Sequence, residues 1–171
     1  MKSVIEYLTE RALSTKVVEL IDMPELVAVA HDGTIKELED LLDIGANPNI
    51  LDNRYGASPL MFASIEKSIL KIDMLIKYGA DVNFPNYKGV TALMYGARQN
   101  DNVDTVKELL KLGADPLLKD NEGRTALFYA ILAKDLNSVK VLAKLTPKIK
   151  ANLEGYIADD KISTFLEEYY S

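Results

Sequence analysis

His31 is the one histidine in the chain, and it sits beside Asp32. Imidazole next to a carboxylate is the raw material of general-base chemistry and of metal ligation, but both need further groups that converge on the ring. No spacing in the sequence supplies them, so His31 is expected to be a solvated residue at a helix end. Asp120-Asn121-Glu122-Gly123 has the opening character of a calcium loop. The acidic twelfth position is missing, because counting from Asp120 reaches Ile131; the string is expected to form a turn. Asp101 and Asp104 fall in a loop and at a helix start, where carboxylates favour the helix dipole. There is no cysteine, hence no thiolate nucleophile, disulfide or cysteine zinc site. No glycine-lysine phosphate loop or Gly-x-Gly-x-x-Gly motif is present. The expectation is a protein with no catalytic residues, no metal and no cofactor.

The elements that carry these residues recur. Gly45-Ala46, Gly79-Ala80 and Gly113-Ala114 are 34 residues apart. Upstream of each pair the apolar positions keep the same step: Leu38, Ile72, Val106; Leu41, Leu75, Leu109; Leu42, Ile76, Leu110. Within one unit they lie three or four residues apart, which is one face of a helix. Downstream comes Gly-x-Ser/Thr at Gly56, Gly89 and Gly123, and then SPLMFAS, TALMYGA and TALFYAI. Helix pairs are predicted over about 25–32 with 35–43, 59–66 with 69–77, 92–99 with 103–111, and 126–133 with 136–145. Ser58, Thr91 and Thr125 stand where a hydroxyl can cap the first helix. The glycines stand where a helix ends in a left-handed residue.

The period and these motifs resemble the ankyrin repeat family, a 33-residue unit of a β-turn and two helices with the pattern T-P-L-H-x-A. DNEGRTALFYA (120–130) carries the resemblance most closely, and a degenerate first unit with Gly33 at its turn extends it to about residues 24–145. Val27, Met61, Met94 and Phe128 replace the motif histidine, and only Pro59 keeps the motif proline. The resemblance implies an all-α ankyrin-repeat solenoid in a single domain, residues 1–171. Its parts are an N-terminal cap (1–23, with an apolar stripe from Val4 to Ile21), repeats at 24–48, 49–82, 83–114 and 115–146, and a helical cap at 147–171. Thr146-Pro147 takes the place of the next Gly-Ala pair and ends the stack. Ile157, Ile162, Phe165, Leu166 and Tyr169 are expected to turn inward in the cap.

The resemblance also implies a protein partner docking on the β-turn fingertips and the exposed ends of the first helices. At matching positions these are Arg54, Tyr55 and Ala57; Tyr87, Lys88 and Val90; Asn121, Glu122 and Arg124; and, on the helices, His31, Asp32, Ile65, Glu66, Arg98, Gln99, Leu132 and Ala133. Tyrosine and arginine are enriched among interface hot spots, which singles out Tyr55 and Tyr87. Phe62, Tyr95 and Tyr129 form an aromatic row at the repeat period, and inter-repeat packing is its expected role. A net charge of −6, with no lysine-arginine cluster, argues against nucleic acid. No apolar run approaches a membrane span and the N-terminus lacks a signal core, so a cytoplasmic location is expected, in its own cell or a host's. The reading is a monomeric interaction module, with a stand-alone inhibitor or immunity protein, or a host-directed effector, as alternatives.

Overall fold

The computed structural model describes residues 24–53, 56–146 and 160–170. The expected N-terminal cap, Arg54, Tyr55 and Ile157 lie outside the described residues. Four helix pairs follow in order: α1 (Pro24–Asp32) with α2 (Ile35–Asp43), α3 (Pro59–Ile65) with α4 (Ile69–Lys77), α5 (Ala92–Ala97) with α6 (Val103–Lys111), and α7 (Ala126–Leu132) with α8 (Leu136–Ala143). A last helix, α9 (Asp160–Tyr170), packs on α8. First helices contact first helices in the sequence α1–α3–α5–α7, and second helices do the same through α2–α4–α6–α8. Two helical layers result, and the core lies between them.

Periodicity explains the layers. Leu38, Ile72, Val106 and Val139 are completely buried, as are Leu75 and Leu109. Each buried aliphatic side chain stabilises by about 1.5–3 kcal/mol, and a repeat that lacked a neighbour would forfeit that on one side. The Gly-Ala pair closes each second helix. Gly79 takes φ 89°, its N–H donates to the Ile76 carbonyl at 3.0 Å, and the Ala80 N–H reaches back to Leu75 at 2.9 Å. That double bond pattern is the Schellman motif, and it buries Ala80. The other two pairs repeat it.

Side chains knit one repeat to the next. Asn49 donates Nδ2 to the Gly79 carbonyl at 3.2 Å and accepts the Asp81 N–H at 2.8 Å. Asn83 does the same to Gly113 and Asp115, at 3.2 and 2.8 Å. Leu117 occupies the third rung. Buried Asn102 donates Nδ2 to the carbonyls of Ser64 (3.0 Å) and Gly96 (2.9 Å), the ends of two first helices. Buried Lys71 closes the end of α1, with its Nζ 3.0 Å from the carbonyls of Val29 and Ala30 and 3.2 Å from that of His31. Burial pushes its ammonium pKa down.

Three expectations need correction. Of the three hydroxyls at the starts of first helices, only Ser58 caps, accepting the Met61 N–H at 3.3 Å. Thr91 and Thr125 make no side-chain cap bond, and the buried Thr91 hydroxyl has no hydrogen-bond partner among the described residues. In α9, Ile162 and Leu166 turn inward and Phe165 is half-buried, but Tyr169 is exposed. It stacks on Phe165, 5.5 Å between ring centres.

Candidate partner-binding surface

Each fingertip is closed by an acidic or amide side chain at one repeat position: Asp52, Asn86 or Asp120. The Asn86 N–H donates to Val90 at 3.0 Å, and its Oδ1 accepts the N–H groups of Lys88 and Val90 at 2.9 Å. Asp120 repeats the arrangement with Arg124 and Glu122. Asp52 accepts the Ala57 N–H at 2.7 Å across a turn one residue longer.

This closure corrects two predicted site residues. Ala57 and Val90 are 1% and 8% exposed. The turn-closing bonds draw their backbone back to the stack, so their side chains enter the core and cannot meet a partner. Tyr87, Lys88, Asn121 and Glu122 do point outward. Arg124 is half-buried and engaged, with Nε 2.7 Å from Asp120 and an ion pair to Glu122.

Tyr87 is 72% exposed yet held on both sides. Asn121 donates its backbone N–H to the Lys88 carbonyl at 2.9 Å and its Nδ2 to the Tyr87 carbonyl at 3.1 Å. The bridge needs a close approach at Gly89, where a Cβ would lie 2.9 Å from Asn121 Oδ1 and 3.0 Å from Asp120 Cα. On the other side the Tyr87 ring lies against Gly56, where a Cβ would meet Cδ2 at 2.9 Å.

Along the helix ends, Ile65 and Gln99 are half-buried, while Glu66, Arg98 and Leu132 are exposed. His31 is more engaged than a solvated residue. Its Nδ1 is 2.7 Å from Asp32, its Nε2 is 3.3 Å from Glu66, and its ring meets Phe62 edge-on at 5.2 Å. A neutral imidazole has one N–H, so only the protonated ring can donate to both carboxylates. The contact ties the end of α1 to the end of α3. Asp32 is the chain neighbour of His31, but Glu66 reaches the ring only through the stacking of the next repeat.

The aromatic row is mostly packed. Tyr129 is 7% exposed, and Phe62 and Tyr95 are half-buried. Met61 and Met94 are buried in the motif-histidine position, and Phe128 is half-buried there. Tyr129 donates its hydroxyl to Asp120 Oδ2 at 2.7 Å. Burial, reinforced by that carboxylate, pushes its phenol up to about 12. Desolvation pushes the Asp120 carboxyl up as well. The Arg124 N–H, the Tyr129 hydroxyl, the guanidinium and the Glu122 N–H outweigh it and hold Asp120 below the usual carboxylate value. Hydrogen bonds to the charged form win here over burial. Among the described residues no cluster of histidine and carboxylate groups is placed to hold a metal ion, and no helix is long and apolar enough to cross a membrane.

Paired helices stacked in order, with a β-turn fingertip and a Schellman-closed second helix at a fixed period, are what the family resemblance requires. The family model described as ankyrin repeats (3 copies) matches residues 26–120 and 99–154. The chain belongs to the ankyrin repeat family. Its ankyrin region is similar to E3 ubiquitin-protein ligase XBAT32 of Arabidopsis thaliana, 36% identical over 74 residues, which is 40% of this chain and 14% of the relative. It is also similar to E3 ubiquitin-protein ligase XBAT33 of Arabidopsis thaliana, 41% identical over 76 residues. Probable E3 ubiquitin-protein ligase XBOS33 of Oryza sativa subsp. japonica is 38% identical over 78 residues. The matches to XBAT33 and XBOS33 each cover 43% of this chain and 14% of the relative. Ankyrin repeats are a protein–protein interaction module, and this chain carries one.

Proposed function

We propose that this ankyrin module recognises one protein partner, without catalysis of its own, through the fingertips and first-helix ends of repeats 2–4. The outward residues of that face are Ile65, Glu66, Tyr87, Lys88, Arg98, Gln99, Asn121, Glu122 and Leu132. Tyr87 carries the reading: it is 72% exposed while its backbone carbonyl is fixed by Asn121 at 3.1 Å. A large aromatic group held in place before binding loses little freedom on binding, and tyrosine is prominent among hot spots. The charge of −6 favours a protein over a nucleic acid.

The test is capture of a partner from lysate of the source organism by the immobilised chain. Tyr87→Ala is expected to weaken capture roughly 30-fold, the effect of a hot spot of about 2 kcal/mol, with its circular dichroism unchanged. Lys107→Ala, at an exposed position of α6, is expected to leave capture as it was. Equal capture by wild type and Tyr87→Ala refutes the fingertip assignment.

A further inference from the structure

The seventh position counted from the cap of each first helix holds Ile65, Arg98 and Leu132, after Ser58, Thr91 and Thr125. The three helices that carry them touch in order, α3 to α5 to α7. The row therefore crosses the face as apolar, cationic, apolar. Leu132 is 44% exposed, Ile65 is half-buried and Arg98 is exposed.

Arg98 differs from most charged residues around it. Lys36 pairs with Glu39 and Asp40, Lys107 with Asp104, Lys111 with Glu108, and Arg124 with Asp120 and Glu122. Glu66 is engaged by His31. Lys67 donates to the carbonyls of Asn100 and Asp101 at 3.0 and 2.9 Å. Arg98 takes part in no ion pair among the described residues. Its guanidinium, the side chain best suited to bidentate grip on a carboxylate, is left facing outward between two aliphatic side chains.

Resting on the recognition face proposed above, we infer that Ile65, Arg98 and Leu132 bind an extended segment of the partner with an acidic residue at its centre and an apolar residue three places away on each side. The spacing follows from geometry. Packed helices lie about 8–10 Å apart, and an extended segment in the polyproline II conformation advances about 3.1 Å per residue with three residues per turn, so residues three apart share one face and one repeat spans three residues of ligand. The carboxylate meets Arg98, and the two apolar residues cover Ile65 and Leu132. A helical ligand would need residues seven apart to cover one repeat, about 10.5 Å, so contacts three residues apart are the mark of the extended chain.

The probe is a set of fluorescent seven-residue peptide libraries with leucine fixed at positions 1 and 7 and Asp, Glu, Ser or Lys fixed at position 4. Binding to the full chain is read by polarisation. The Asp and Glu libraries are expected to bind at least ten-fold tighter than Ser, with Lys weakest, and Arg98→Glu is expected to reverse the order of Glu and Lys. Indifference to position 4, or an order unchanged in Arg98→Glu, overturns the inference. So does equal binding when the two leucines become serine, since that outcome is charge attraction alone. Lysate capture that depends on Tyr87 while the peptides show no preference leaves the recognition face standing and removes this ligand pattern. If Tyr87→Ala also leaves capture unchanged, both fall.

Discussion

Asp120→Asn is the substitution with the most closely worked outcome, because the protein contains its own control. Asn86 stands at the same repeat position and closes its fingertip through Oδ1 with two bonds of 2.9 Å. An asparagine at 120 can therefore keep the Glu122 and Arg124 N–H bonds that Asp120 Oδ1 accepts at 2.9 Å. The loss falls on the other oxygen, which accepts Arg124 Nε and the Tyr129 hydroxyl, both at 2.7 Å. In the variant an amide N–H faces the guanidinium, donor against donor. Hydrogen bonds to charged groups contribute about 1.5–3 kcal/mol each. Two effects reduce the sum. The Arg124 side chain is 29% exposed and can hydrate, and the Tyr129 hydroxyl can turn to accept from the amide, as Tyr95 does from Asn86 at 3.4 Å. The expected cost at neutral pH is about 2–3 kcal/mol, a melting temperature lower by roughly 4–12 °C.

The pH dependence separates this account from a packing defect. Asp120 has a folded pKa below its ordinary 3.8. Its contribution is therefore fully present above that value and is lost as pH falls through the folded pKa. A protonated carboxyl is nearly the isostere of the amide, so the gap between wild type and Asp120→Asn should close in acid. Hydrogen exchange of repeat 4 amides at about pH 7 and about pH 3 measures it locally, which suits an array whose repeats can open separately. A penalty of equal size at both values refutes the reasoning.

Tyr129→Phe tests the partner of that bond from the alkaline side. The folded phenol titrates at about 12 against an ordinary 10, so its contribution is present below about pH 10 and is lost as pH rises toward about 12; guanidinium midpoints should fall less steeply with rising pH in the variant, and parallel slopes would contradict the shift. Lys134 sits exposed in the turn between α7 and α8 with φ 57°, a conformation costing an L-residue about 1–2 kcal/mol. Lys134→Gly is expected to stabilise by about 0.5–1 kcal/mol after glycine's own entropy cost, read as a higher denaturation midpoint, and a lower one would show that the lysine holds the turn.

What the sequence displayed was whatever repeats at a fixed step. Leu38, Ile72 and Val106 share a step and a face, and the Gly-Ala pairs share a cap, so the helices and their order could be read before any coordinate. Ala57 and Val90 were misplaced because a fingertip is judged by distance from its glycine, whereas their direction is set by Asp52 and Asn86 pulling the backbone inward. Their small apolar character at one repeat position was the available signal. Asp32 and Glu66 stand one 34-residue repeat apart, so their neighbouring positions were legible; that the His31 ring turns to meet both carboxylates was not, because a period places residues and not rotamers. Lys71 and Asn102 were invisible for a related reason: neither residue type recurs, since Glu37 and Thr105 match Lys71 and Ser68 and Asp135 match Asn102, while each satisfies carbonyls of another repeat. Tyr169 shares a helical face with Ile162, seven residues earlier, yet it is exposed and its ring meets Phe165 and Tyr170 of its own helix; amphipathic spacing gives a direction, not a neighbour to cover it.

The same bookkeeping of bonds says why recognition can be local to the outward residues. Asn49, Asn83, Asn102, Asn121 and Lys71 all bond to backbone groups of a neighbouring repeat. A backbone carbonyl is present whatever side chain its residue carries, so these links survive changes at Tyr87, Lys88 or Arg98. The ladder ends at the third rung, where Leu117 has no side-chain amide to bond the next repeat. Stack and surface are thus specified by different atoms of the chain. That separation is the physical condition under which one scaffold can hold Tyr87 and Arg98 rigid without its stability depending on either.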